Sequence, residues 1–181
     1  MSIYFLRHIK TIHNQRNLIS GCADTEPLSE QSLILPTELS VHFDRVLSSP
    51  LKRCKATIEL LPIHCYDSIE FTEQLIERNV GILEGLSKTT AVKQYPHLFC
   101  EGKLDVNAVI PNGESVVMVA ERVSSLAKEI ARESQTMNIL VCSHNQTLKV
   151  LLAVLKEIPL TNDYWREINF KNGTLVNINE V

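Results

Sequence analysis

Ile3-Tyr4-Phe5-Leu6 runs into Arg7-His8, and Ile139-Leu140-Val141-Cys142 runs into Ser143-His144. Both stretches are short, apolar and rich in β-branched or aromatic residues, the pattern of strands buried on both faces. Each ends in a histidine. In open α/β sheets, ligands bind outside the carboxyl ends of the strands. If the two strands are parallel in one sheet, two imidazoles from opposite ends of the chain meet in one crevice.

Working outward, the quoted runs extend over 2–7 and 138–143, and further strands are expected at 44–48, 63–67 and 174–179. Helical patterns fall between them. One opens at Pro50-Leu51 and runs to about Leu61. Ser87 caps a short one that ends before Tyr95-Pro96. The Pro111-Asn112-Gly113 turn leads into a long one ending near Ser134, with Val116, Val119, Ala120, Val123, Ala127 and Ile130 at helical spacing. Another follows His144, carries Leu148, Leu151, Leu152 and Leu155, and stops near Pro159. Segment 29–43 has two readings: a helix capped by Ser29 and kinked at Pro36, or one that begins at Pro36. Strands alternating with helices predict a three-layer α/β/α sandwich around a mostly parallel sheet. The length of 181 residues fits one domain over 1–181.

Lys and Arg number 18 against 21 Asp and Glu, a formal net charge of −3, so the chain has no basic footprint for nucleic acid. Its five cysteines are odd in number and irregularly spaced, with no C-x-x-C. That pattern argues against a disulfide framework and for reduced thiols in a cytoplasmic compartment. No signal-peptide pattern is visible, and no apolar stretch is long enough to span a membrane.

Four constellations carry chemistry. Arg7-His8 sets a planar, permanently charged anion binder beside an imidazole. Ser48-Ser49-Pro50-Leu51-Lys52-Arg53 follows a strand and opens a helix, whose N-terminus favours anions. Ser143-His144-Asn145 repeats the strand-end, helix-start placement. Glu77, in Leu75-Ile76-Glu77-Arg78-Asn79-Val80-Gly81, offers a carboxylate for general acid and base work. Each has an ordinary structural explanation alone: a solvated arginine, a helix start, a core histidine, a surface ion pair with Arg78. Together they supply what phosphoryl transfer needs. Two guanidiniums and an imidazolium would hold phosphoryl oxygens, a neutral imidazole would attack, and a carboxylic acid would protonate the departing oxygen. Nearby arginines should favour neutral His8. No H-x-x-x-H or H-E-x-x-H spacing suggests a metal, and no G-x-S-x-G suggests a serine triad.

In these motifs the chain resembles the histidine phosphatase superfamily, also called the phosphoglycerate mutase-like family. Its first motif, L-x-R-H-G-x-T-x-x-N, aligns without a gap on Phe5 through Asn14. Ser20-Gly21, Asp24 and Pro27-Leu28-Ser29-Glu30 continue it. Ser49-Pro50-Leu51-Lys52-Arg53-Cys54-Lys55-Ala56-Thr57 looks like the second arginine motif, and Glu77 through Gly85 like the acid-residue motif. Pro111-Asn112-Gly113-Glu114-Ser115 and Val141-Cys142-Ser143-His144 complete the set in family order. The resemblance implies a phosphoglycerate mutase-like fold. His8 would be the phosphorylated nucleophile and Glu77 the proton donor, with Arg7, Arg53 and His144 forming the phosphate pocket. Asn14, Ser20, Gly21 and the backbone of Asn145 would line the substrate side. It also implies no metal and no cofactor. The family has glycine after each histidine, where this chain has Ile9 and Asn145. If the first position needs φ > 0, its loop must differ or carry strain.

These readings point to a phosphomonoesterase acting on a phosphorylated small molecule, with no nucleic acid or membrane partner. A mutase returning the phosphoryl group to substrate, and a non-catalytic binder of phosphorylated ligands, are the alternatives. The short stretch between Gly85 and Pro111 favours hydrolysis over a large enclosure. Arg16, Lys88, Lys93 and Lys103 are the cations placed to meet a second anionic group. Oligomeric state leaves no signal in the sequence.

Overall fold

Strands β1 (Ile3–Arg7), β2 (Arg45–Ser48), β3 (Ile69–Phe71), β6 (Ile139–Ser143) and β7 (Leu175–Asn177) form one sheet in the order β3-β2-β6-β1-β7. All neighbours pair in parallel except the edge strand β7, which runs antiparallel to β1. The computed structural model describes residues 1–28, 33–34, 41–62 and 64–181, so most of the segment with two readings, 29–43, lies outside the described residues.

Alternation along the central strands divides the core into two layers. Ile3, Phe5, Leu47, Ile139 and Val141 face helices α4 (Val116–Glu133) and α5 (Asn145–Leu155). Leu6, Val46, Leu140 and Cys142 face α2 (Lys52–Ile58), which contributes Cys54 and Ile58. Covered on both faces, these strands read as continuous apolar runs. Five of the six apolar positions expected on α4 are buried, Leu126 joins them, and Ala120 is half-buried. The Ser115 hydroxyl caps α4 by accepting from Met118 N at 3.1 Å.

Several boundaries differ from expectation. The strand expected at 63–67 lies at Ile69–Phe71 instead. Cys65 N closes a turn on Pro62 O at 3.2 Å, His64 has φ 74°, and Tyr66 makes only an isolated bridge to Phe43. Proline and a left-handed residue break the ladder there. Helix α2 ends at Ile58, short of Leu61, and the strand expected over 174–179 turns into a 3₁₀ turn at Ile178. Four short elements were not expected: α1 (Ile12–Gln15), the hairpin of β4 (Phe99–Cys100) and β5 (Lys103–Leu104), and α6 (Asn162–Glu167). With α3 (Lys88–Gln94), capped by Ser87 as expected, the hairpin stands over the carboxyl ends of the strands. Val80, Leu83, Ala91, Leu98, Ala108 and Ile110 form a small apolar core under it. No described helix is long and apolar enough to cross a membrane.

Candidate active site

The β1–β6 register sets Arg7 opposite Ser143, and His8 N donates to Ser143 O at 3.0 Å. One residue beyond each strand, the rings of His8 and His144 lie 5.1 Å apart, centroid to centroid.

His8 is held at its backbone and at one ring nitrogen. Its Nδ1 lies 2.6 Å from Ile9 O. A carbonyl only accepts, so Nδ1 carries the proton and Nε2 the lone pair. The His8 carbonyl accepts from Asn172 Nδ2 at 2.8 Å and from Gly173 N at 3.3 Å. Ile9 N donates to Thr57 Oγ1 at 2.9 Å, and that hydroxyl donates to Arg53 O at 2.6 Å. Ile9 does not adopt a positive φ, so an isoleucine fits after the histidine without left-handed strain. Asn145 sits in the first turn of α5, where its Oδ1 accepts from Phe170 N at 3.0 Å. Burial is the largest cause holding His8 well below the usual imidazole range, and the Arg7 and Arg53 charges act in the same direction.

Two guanidiniums act on this ring, one on the half-buried Arg7 and one on the buried Arg53. Arg7 Nη1 donates to Phe170 O at 2.7 Å, while its Nε is buried with no protein partner. Arg53, on the first turn of α2, donates from Nη1 to Ala23 O at 2.5 Å and from Nη2 to Gly21 O at 3.0 Å. Its Nε donates to His144 Nδ1 at 3.0 Å. His144 Nδ1 is therefore the unprotonated nitrogen, and Nε2–H faces Ser49 Oγ at 2.9 Å. Burial, then the Arg53 charge, pushes His144 well below its ordinary value. The imidazolium anticipated from the sequence is a neutral ring at this position.

Glu77 is anchored by the start of α5. Oε1 accepts from Arg78 N at 3.0 Å, Thr147 N at 3.1 Å and Thr147 Oγ1 at 3.2 Å. Among the described residues Oε2 takes only Gln146 N, at 3.3 Å. The ion pair with Arg78 that would have explained Glu77 as an ordinary surface residue is absent among the described residues. The Arg78 guanidinium turns away to Glu114 O at 2.7 Å and Ala108 O at 3.2 Å, and burial lowers its pKa to about 10. Glu114 in turn binds Asn79 N and Arg122, whose Nη1 reaches Gln74 O at 2.7 Å. Gly81 has φ +47°, and a Cβ there would lie 2.0 Å from Pro111 O, so only glycine lets the Glu77 loop meet the 111–113 turn.

A cleft of about 530 Å³ opens above these groups. Arg7, His8, Asn14, Ser20, Gly21, Arg53, Glu77 and Asn145 all line it. His144 does not; it is fully buried behind Arg53. Lys88 and Lys103 reach the cleft, whereas Arg16 and Lys93 do not line it. Sequence reading missed Thr147, Arg122, Asn172 and Lys149, and quoted Glu114 in the 111–115 motif without a role. Thr147 and Lys149 follow His144 on one helix, but the leucines there carry the visible pattern. Among the described residues no His, Cys, Asp and Glu side chains cluster to hold a metal ion, and all five cysteines are free thiols.

The profile of the histidine phosphatase superfamily (branch 1) matches residues 3–180. The chain belongs to this superfamily. Membership supports phosphomonoesterase activity of the histidine-phosphatase type. The chain is 31% identical over 169 residues to the broad-specificity phosphatase YOR283W of Saccharomyces cerevisiae, covering 85% of this chain and 70% of the relative. It is 27% identical over 167 residues to the probable phosphoglycerate mutase GpmB of Shigella dysenteriae, covering 88% and 76%. Among solved structures, a putative alpha-ribazole-5'-P phosphatase from Escherichia coli matches with a TM-score of 0.78 at 24% identity, covering 97% and 88%. At these identities the structural likeness establishes the superfamily's fold.

Proposed function

We propose that this protein hydrolyses phosphomonoesters through a phosphohistidine formed on Nε2 of His8, without a metal or other cofactor. The observation that carries this reading is the 2.6 Å contact from His8 Nδ1 to Ile9 O, which leaves the lone pair on Nε2 of a ring that the Arg7 and Arg53 charges both keep neutral.

Nε2 attacks phosphorus and the P–O bond to the leaving group breaks. Arg7 and Arg53 hold the phosphoryl oxygens as charge shifts onto the leaving oxygen. Glu77 gives that oxygen a proton from Oε2, its less engaged oxygen. Water then attacks phosphorus, Glu77 takes the water's proton, and the P–N bond breaks to free His8. His144 serves the phosphate pocket through Arg53, whose Nε it receives. Asn14, Ser20, Gly21 and Asn145 line the substrate side, Gly21 through a carbonyl that fixes Arg53.

The broad-specificity phosphatase activity in the yeast relative's name supports hydrolysis. The name of the GpmB relative favours phosphoryl return to substrate as the second reading. Turnover of 4-nitrophenyl phosphate with EDTA present, in wild type and His8→Ala, tests the proposal. Activity lost in His8→Ala and indifferent to EDTA is expected. Activity surviving the substitution would overturn the nucleophile assignment, and phosphoryl exchange between positions of phosphoglycerate would favour the mutase.

A further inference from the structure

The Arg53 guanidinium is aimed by two backbone carbonyls, Gly21 O at 3.0 Å and Ala23 O at 2.5 Å. A cation held by carbonyls is only as well placed as the loop that carries them. Residues 20–23 belong to no helix or strand. Ala23 N donates to Ser20 O at 3.1 Å within the turn, and Asp24 Oδ1 accepts from Lys52 N at 2.8 Å just beyond it. The middle of the loop is gripped from the opposite side. Glu84 Oε1 accepts from Cys22 N at 2.8 Å and from Cys22 Sγ at 3.2 Å. The approach is close: Gly21 has φ +50°, and a Cβ there would lie 2.2 Å from the same Oε1. Burial, then the hydrogen bond to Glu84 and its charge, pushes the Cys22 thiol up to about 11, so the sulfur keeps its proton at neutral pH and donates.

Glu84 itself does not line the cleft, and among the described residues it forms no ion pair. A half-buried carboxylate without a cation is costly unless its hydrogen bonds compensate, and those to a charged acceptor are the strong ones. Beside it, Gly85 N donates to Ile19 O at 2.8 Å and Ile19 N to Leu86 O at 2.9 Å, lacing the two segments together. Glu77 lies earlier on the segment that carries Glu84.

We propose that Glu84 is a positioning residue for phosphoryl transfer: its carboxylate fixes the backbone of residues 21–23, so that the Gly21 and Ala23 carbonyls set Arg53 against the phosphoryl group. This rests on the reading of Arg53 as a phosphoryl ligand. The guanidinium donors form a rigid planar fork, so a shift of the carbonyls turns the whole fork. The segment 77–85 then supplies the acid at one end and the aim of a cation at the other.

The test is a double-mutant cycle between Glu84→Ala and Arg53→Ala, read as calorimetric binding of inorganic phosphate and as kcat/KM for 4-nitrophenyl phosphate. Glu84→Ala is expected to lower both by about tenfold or more, within the range of coupling between groups that share partners. In the Arg53→Ala background the same substitution should change phosphate affinity little. Glu84→Gln, whose amide oxygen accepts the same two bonds, should recover most of the loss. Full phosphate affinity in Glu84→Ala, or equal losses with and without Arg53, would overturn the proposal, since a purely structural carboxylate weakens both alike. If Glu84→Ala does not fold, Glu84→Asp takes its place; it withdraws the oxygen from Cys22 N by one methylene, and no loss, or an equal loss in both backgrounds, overturns the proposal. Wild type that binds phosphate but turns over no phosphomonoester would sink the phosphatase reading instead, leaving the binding cycle to decide the role of Glu84.

Discussion

Arg53 Nε donates to His144 Nδ1 at 3.0 Å, so one strand-end histidine contacts an arginine of the cleft while the other lines the cleft itself. Removing the acceptor strands the buried Nε–H and leaves the guanidinium held only through Nη1 and Nη2, on Ala23 O and Gly21 O. His144→Ala is expected to lower kcat/KM for 4-nitrophenyl phosphate by about 10²-fold or more, the scale of losing one oriented charge donor. A steady-state comparison with wild type checks this. Full activity would show that the Ala23 and Gly21 carbonyls hold Arg53 without His144.

Thr57 ties the nucleophile loop to α2 by accepting from Ile9 N and donating to Arg53 O. Thr57→Val keeps the shape and leaves a buried N–H unpaired, at a cost of about 1–3 kcal/mol. Urea unfolding should show a lower midpoint with an unchanged slope. An unshifted midpoint would mean that the loop finds another partner.

Gly81→Ala should be more damaging. The left-handed backbone alone costs about 1–2 kcal/mol for a residue with a side chain, and the new Cβ meets backbone on the 111–113 turn. Lower thermal stability and lost turnover are expected together, because the same loop carries Glu77. A stable, active variant would contradict the tight approach.

Stability should fall as the solution is acidified below roughly pH 6.5. Both His8 and His144 have folded values well below the ordinary 6.5. Between the folded and unfolded values the unfolded chain binds more protons, so stability rises with pH in that window and is lost as pH drops through it. His42, paired with Asp67, is shifted upward and has the opposite sign, but the pair is exposed and contributes little. Urea midpoints at several pH values in wild type and His144→Gln check this; the variant should show the shallower acid loss. An identical pH dependence would contradict a buried neutral ring at 144.

The central strands and α5 were legible because their burial is nearly complete, and α4 because its buried residues recur at helical spacing along one face. So was the site's nucleus, since Arg7-His8 and Ser143-His144 end the two clearest strands. Short elements were not legible. Strand β3, the β4–β5 hairpin and α6 span two to six residues each, and tertiary contacts decide their place. The turn at Cys65 displaced one strand by several residues. Lys149 hid within an apolar run, and its burial appears only when α6 brings the Trp165 carbonyl to it. The neutral state of His144 likewise depends on a contact between residues 91 positions apart.

The proposed mechanism passes through a covalent bond between phosphorus and Nε2 of His8. Rapid mixing with a labelled phosphomonoester, quenching in alkali, where phosphohistidine persists, and mapping by mass spectrometry tests it most directly. One phosphoryl group is expected on the peptide containing His8, absent in His8→Ala and diminished by acid. Steady turnover with no label on that peptide, or label on another residue, would contradict it.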